Sequence, residues 1–226
     1  MEERPKHPNR CVIILSGGMD STTLLYRILH EKKDIHALSF NYGQKHKKEL
    51  DYAKRTCEHL KIPHKIIELN SLTTAGLFGQ SSLTSTEAVP EGHYAADNMK
   101  STVVPNRNMI MLSMAVAYAI SLECDSVYYG AHAGDHAIYP DCRPVFVEQM
   151  QSVAAVCHYF PVKIEAPYLY QTKGDIVAEG TKLGVDYALT WTCYKGGEKA
   201  CGKCGSCTER LEAFAENGLI DPIQYE

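Results

Sequence analysis

A short apolar run, Cys11-Val12-Ile13-Ile14-Leu15, breaks directly into Ser16-Gly17-Gly18-Met19-Asp20-Ser21 and then into Thr22 and Thr23. Unbroken apolar residues with β-branched members fit a strand buried on both faces, and the segment from Thr22 to His30 has helical spacing. A loop of glycines and hydroxyls between a buried strand and a helix start exposes backbone amides at the positive end of the helix dipole. That arrangement is an anion cradle. An ordinary turn with a capping Ser or Asp would need only one of these residues, whereas here the whole hexapeptide and two further threonines are present. The loop has no Gly-Lys-Ser/Thr ending, so it is not of the Walker type.

The same rhythm continues downstream. Residues 35–40 and 66–69 read as further buried strands, with a helix over 44–60 whose Leu50, Ala53, Cys57 and Leu60 share a face. A strand is expected over 125–130 and helices over 106–122, 146–158, 174–183 and 208–216, with Gly184 placed to end the fifth. Alternating strands and helices predict an α/β, doubly wound and mainly parallel sheet. Residues 106–122 are apolar on most sides and predict a buried helix whose methionines fill core. Residues 70–100 break the rhythm with Ser, Thr, Gly and a Pro-Glu-Gly turn, which suits a functional lid.

Nine cysteines stand out in a chain of 226 residues. Cys193, Cys201, Cys204 and Cys207 form C-x7-C-x2-C-x2-C, a spacing that lets four thiolates converge on one tetrahedral ion. Structural zinc is the expectation, with Lys195, Lys199, Lys203 and Arg210 offsetting the negative charge; an iron–sulfur cluster and redox disulfides are the alternatives. Cys11, Cys57, Cys124 and Cys157 read as core thiols. Cys142 lies between Asp141 and Arg143, where a cation could lower its pKa, so it reads as pocket-lining or nucleophilic. An odd cysteine count and clustered metal-type spacing point to a reducing, cytoplasmic setting. Met1 to Arg10 is polar and does not resemble a signal peptide, and no apolar run reaches the length of a membrane span. A net charge of −4 offers no basic field for nucleic acid, so a small-molecule substrate is expected. Length and cysteines together predict an α/β domain over residues 1–190 and a zinc-binding segment over 191–226 packed on it.

The hexapeptide after the first strand resembles the pyrophosphate loop of the N-type ATP pyrophosphatases. Asn41 to Leu50, Val104-Pro105-Asn106-Arg107-Asn108, Asp135 to Arg143 and Thr190-Trp191-Thr192-Cys193-Tyr194 narrow this further. With the cysteines, in the same order, they resemble the 7-cyano-7-deazaguanine synthase (QueC) family over essentially the whole chain. Val145 and Ala131 depart from that pattern and leave the pocket details open. The resemblance implies ATP-dependent conversion of 7-carboxy-7-deazaguanine and ammonia to the nitrile, through adenylate and amide intermediates, in a homodimer that uses Mg²⁺. The remaining length holds no glutaminase, so free ammonia is expected.

For the residues, the resemblance implies an ATP site over Leu15, Ser16, Gly17, Gly18, Met19, Asp20, Ser21, Thr22, Thr23, Leu24 and Leu25. Asp20, Arg107, Lys173 and Asp135 are the catalytic candidates. Lys173 either reaches the phosphates or is a solvated helix-start lysine, and Arg107 either neutralises carboxylate and pyrophosphate or makes a surface ion pair. Tyr42, Gln44, His132, Asp135, Tyr139, Asp141 and Arg143 are the substrate-binding candidates. Two other readings of the same loop are activation chemistry directed to another acceptor amine and a tRNA thiolase. The second would require a basic surface that this composition lacks.

Overall fold

The computed structural model describes residues 5–226, so the beginning of the polar Met1–Arg10 stretch lies outside the described residues. Five strands form one parallel sheet: β1 (His7–Ile14), β2 (Asp34–Asn41), β3 (His64–Glu68), β4 (Cys124–Tyr128) and β5 (Lys163–Glu165), in the order β3-β2-β1-β4-β5. The helices are α1 (Met19–His30), α2 (Lys48–Leu60), α3 (Asn70–Thr74), α4 (Arg107–Ser121), α5 (Pro144–Val156), α6 (Lys173–Leu183) and α7 (Gly205–Glu216). The α/β doubly wound expectation holds.

Alternation along β1 explains the two layers. Cys11, Ile13 and Leu15 point to one face, against Leu24, Leu25 and Ile28 of α1, Ala53 and Cys57 of α2 and Ile176 of α6. Val12 points to the other, where Leu112, Ala115 and Ala119 of α4 and Met150 and Ala154 of α5 complete the larger core.

Several boundaries differ from the sequence expectation. The first strand begins at His7, because backbone pairing carries it through polar residues that hydropathy does not mark. The second helix begins at Lys48 rather than Gln44, since Gln44 folds its side chain back onto Phe40 O and the Tyr42 amide and makes a turn. β5 was not anticipated; three residues are too few to display an alternation. In α4 Met109 is 45% exposed, so one side of that helix opens to solvent. Cys157 is exposed and does not belong to the core.

Residues 70–100 are packed down. Phe78, Leu83, Val89, Tyr94 and Met99 are buried, and the segment bonds to Lys45 through Leu83 O and bridges to Cys204 at Glu91. It forms a strap over the carboxyl ends of the strands. Among the described residues no helix is long and apolar enough to cross a membrane.

Candidate active site

Strand order reverses between β1 and β4, and in open α/β sheets ligands bind beyond the carboxyl ends of the strands at such a switch point. A cavity lies there, walled by Leu15, Ser16 and Gly18 to Ser21 after β1, by Tyr42, His46 and Glu49 after β2, by Tyr129 to His132 and Asp135 after β4, and by Tyr94, Arg107, Lys173 and Tyr194. These three strands each deliver one stretch of the wall.

The loop after β1 is held by its own hydroxyls. Ser16 N donates to Ser21 Oγ at 3.2 Å and Gly18 N to Ser16 Oγ at 3.1 Å. Gly18 is the N-cap of α1 and supplies no capping side chain, so the first-turn amides of Met19, Asp20 and Ser21 start a helix whose N-terminus borders the cavity. Gly17 has φ +90°, and a Cβ there would lie 2.0 Å from Glu49 O of α2. The glycine is therefore demanded by helix packing as well as by the turn. Gly130, after β4, runs beside the Asp20–Ser21 backbone, where a Cβ would meet Ser21 N at 3.4 Å, an ordinary contact.

Asp20 projects from this loop into a polar network. Its Oδ2 lies 3.3 Å from Lys173 Nζ and 3.9 Å from His132 Nε2, and its Oδ1 is buried without a partner. Lys173, at the start of α6, is 6% exposed and also pairs with Glu209 of α7 at 2.7 Å, which excludes the solvated reading. Burial alone would lower the Lys173 pKa, but the carboxylates of Asp20, Glu209 and Asp135 outweigh it and raise it, holding the ammonium charged. Asp135 shows the converse balance: burial pushes its carboxyl up, while His132, Lys173 and the Tyr94 hydroxyl at 2.8 Å bring it below the ordinary value. His132 accepts from Gly134 N at Nδ1, which leaves Nε2 to face Asp20 and Asp135. Burial raises the Glu209 carboxyl.

A second group lines the β2 side. Arg107 enters the cavity from the first turn of α4, after Asn106 adopts a left-handed φ of 58°, and donates to Tyr42 Oη at 3.2 Å. Despite burial, the neighbouring Tyr42, Asp141 and Cys142 push its pKa further up, so it stays cationic and is not a surface ion pair. Glu49, in the first turn of α2, and His46, in the turn just before it, lie 3.5 Å from each other. Burial pushes Glu49 up to about 8 and, with Arg107, pushes His46 down to about 3. Tyr139 closes this wall, bonded to Thr102 and Tyr194.

Not every expected residue reaches the cavity. Leu24 and Leu25 are fully buried in the core under α1, and Thr23 Oγ1 bonds to Met19 O and lies 3.0 Å from Tyr187 Oη. Thr22 is buried with an unpartnered hydroxyl. Gln44 braces the turn that carries Tyr42 and donates to Glu49. Asp141 accepts from Asn108 N and thereby caps α4, while exposed Arg143 donates to His136 O. Cys142 lines the wall, but burial raises its thiol pKa well above the ordinary value, against an activated nucleophile. Met111, read as core filler, lines both core and cavity. Tyr94, Tyr194, Glu49 and Glu209 were not anticipated. Only Glu49, three residues after His46 at a helix start, carried a signal in its spacing.

Cys193, Cys201, Cys204 and Cys207 come together with their sulfurs within 4.8 Å of one another, all four buried. The amides of Cys201, Lys203 and Cys204 point at Cys193 Sγ and Cys201 Sγ at 3.3–3.4 Å, as amides do around metal-bound thiolates. This donor set can hold a metal ion. Arg210 does not offset its charge; it is fully buried and bidentate to Asp221, and it bonds to Thr190, Thr192 and Tyr187 O. Trp191 N donates to Gly17 O, tying this segment to the loop after β1.

Comparison with known proteins adds three findings. The sequence model of the family described as queuosine biosynthesis protein QueC matches residues 10–218. Proteins named 7-cyano-7-deazaguanine synthase are similar across nearly their whole length: that of Hahella chejuensis is 60% identical over 97% of this chain and 94% of its own, and that of Pseudoalteromonas atlantica 60% over 96% and 99%. Among solved structures, the NMN synthetase of Francisella tularensis shares the fold, with a TM-score of 0.52 at 16% identity, covering 93% of this chain and 77% of its own.

Proposed function

Since the chain belongs to the QueC family of queuosine biosynthesis proteins, we propose that it is a 7-cyano-7-deazaguanine synthase, converting 7-carboxy-7-deazaguanine, ammonia and ATP to the nitrile. A carboxylate is a poor electrophile. Transferring AMP to its oxygen, with release of pyrophosphate, makes the carbon attackable, and ammonia then displaces AMP to give the amide. A second activation of the same kind removes the amide oxygen and leaves the nitrile.

The observation that carries this reading is the junction of the uncapped α1 N-terminus with the Asp20–Lys173 pair in one cavity. First-turn amides hold phosphate oxygens, and Lys173 and Arg107 stabilise the charge that builds on the departing pyrophosphate. The buried, unpartnered Asp20 Oδ1 fits a ligand for Mg²⁺, which would neutralise phosphate charge. Tyr42, Tyr139 and Tyr194 give aromatic faces for a flat heterocycle, and Asp135, kept ionised, accepts from its guanine-like N–H groups. Asp141 and Arg143 act from outside, one fixing the start of α4 and the other bracing the turn that precedes α5.

The four convergent thiols fit zinc, which would fix residues 191–226 on the nucleotide-binding domain of residues 1–190. The protein works in the cytoplasm as a homodimer, an arrangement supported by apolar Val145, Val153 and Val156, which lie exposed on α5. It takes a free base and neither nucleic acid nor membrane. Delivery of the activated carboxyl to another amine, and tRNA thiolation, are the competing outcomes. Incubation with 7-carboxy-7-deazaguanine, ATP, Mg²⁺ and ammonium, followed by mass spectrometry, yields the nitrile and AMP on this reading. Unchanged substrate from folded, metal-loaded protein contradicts it.

A further inference from the structure

The reaction proposed above needs a group that removes protons from nitrogen, because ammonia is carried mostly as ammonium near neutral pH. Three carboxylates line the cavity. Asp20 is paired with Lys173, and Asp135 is held by Tyr94 and the His132 amide. Glu49 has neither a Lys nor an Arg partner within ion-pair distance among the described residues. Gln44 Nε2 holds its Oε1 at 3.2 Å, and its side chain is 12% exposed. Beside it His46, 6% exposed in its side chain, keeps Nδ1 buried with no hydrogen-bond partner. A ring nitrogen without a partner beside a carboxylate that has no cationic side chain, next to the aromatic rings of Tyr42 and Tyr194, suits a small N–H-rich cation.

We propose that Glu49, positioned by Gln44 and His46, is the seat of the nitrogen nucleophile and the catalytic residue that takes its proton. This inference rests on the amide- and nitrile-forming reading of the site. Ammonium gives one proton to the Glu49 carboxylate and keeps the electron pair. That pair forms the C–N bond at the adenylated carbon, the C–O bond to AMP breaks with its pair on the phosphate oxygen, and the second proton shed by nitrogen leaves with the phosphate. Glu49, its side chain 12% exposed, passes that first proton to solvent, and in the nitrile step the adenylated amide gives it one N–H proton. Its nitrogen pair then completes the triple bond as the second C–O bond breaks toward AMP, and the last N–H proton leaves with that phosphate.

The surroundings agree with this role. Helix α2 presents the Glu49 carbonyl against Gly17, so the side chain starts beside the phosphate loop. Burial, opposed by Gln44 and the Arg107 charge, brings the carboxyl to about 8, so the carboxylate that accepts the proton gains population as pH rises toward 8 and is a stronger proton acceptor than an exposed carboxylate. Tyr42, with His46 and Arg107, completes the titratable and charged groups around it.

The test is Glu49→Gln, which keeps an oxygen for Gln44. Carboxylate-dependent ATP–pyrophosphate exchange reports adenylation, and kcat/KM for ammonium reports the nitrogen step. The expected result is a fall of about 100-fold or more in kcat/KM for ammonium, with exchange kept within about threefold. The variant's remaining rate should follow free ammonia alone and lack the wild-type limb near the pH where Glu49 ionises. Glu49→Asp should recover part of the loss. An unchanged kcat/KM for ammonium, or exchange lost in parallel with the nitrogen step, overturns the assignment. Absence of exchange in the wild-type protein would instead refute the proposed function.

Discussion

Asp20 meets Lys173, His132 and the α1 N-terminus at once, and its neighbours explain why the site tolerates so much buried charge. Lys173 is the common counter-ion of Asp20 and Glu209. Removing it strands two carboxylates in a largely buried setting, and breaking such a pair costs about 3–5 kcal/mol. Lys173→Met should therefore lower the urea midpoint as well as abolish ATP turnover; a variant that loses turnover at unchanged midpoint would show that the network does not support the fold. Asp20 was legible in the sequence because the loop chemistry singles it out. Tyr94 and Glu209 were not, because they arrive from the strap and from α7, and no local spacing links them to Asp135 and Lys173.

At the scale of elements, the loop after β1 depends on parts distant in sequence. Gly17 packs on α2, Gly130 passes close behind Asp20–Ser21, and Trp191 N bonds to Gly17 O. The four thiols are therefore tied to the loop after β1 through Trp191, two residues before Cys193. Stripping the metal with a chelator should release the amides of residues 191–207 to rapid hydrogen exchange and reduce ATP–pyrophosphate exchange with it. Unaltered protection after complete metal loss would mean that packing alone, including the Arg210–Asp221 pair, holds the segment. The cysteine spacing revealed the cluster, but the orientation of Arg210 could not be read from nearness in sequence, since its partner Asp221 lies on the chain beyond α7. Asp141 likewise looked like a ligand group in a polar loop and proves to cap α4, because only the fold brings it to Asn108 N.

At the scale of the whole molecule, the sheet order places the ends of β1, β2 and β4 around one cavity, and the strap and residues 191–194 close it. The strand-helix rhythm exposed the parallel sheet and its first strand-to-helix turn, which is why the fold and the place of that turn in it were readable. Register, the short edge strand β5 and the packed strap depend on long-range pairing that hydropathy does not encode. On the proposed function, this cavity activates a carboxylate oxygen through the α-phosphorus of ATP. Turnover of 7-carboxy-7-deazaguanine labelled with oxygen-18 in its carboxyl group is the decisive measurement. Both labelled oxygens should leave in AMP, one for each activation, with none in pyrophosphate. Label in pyrophosphate, in inorganic phosphate or in water would contradict it.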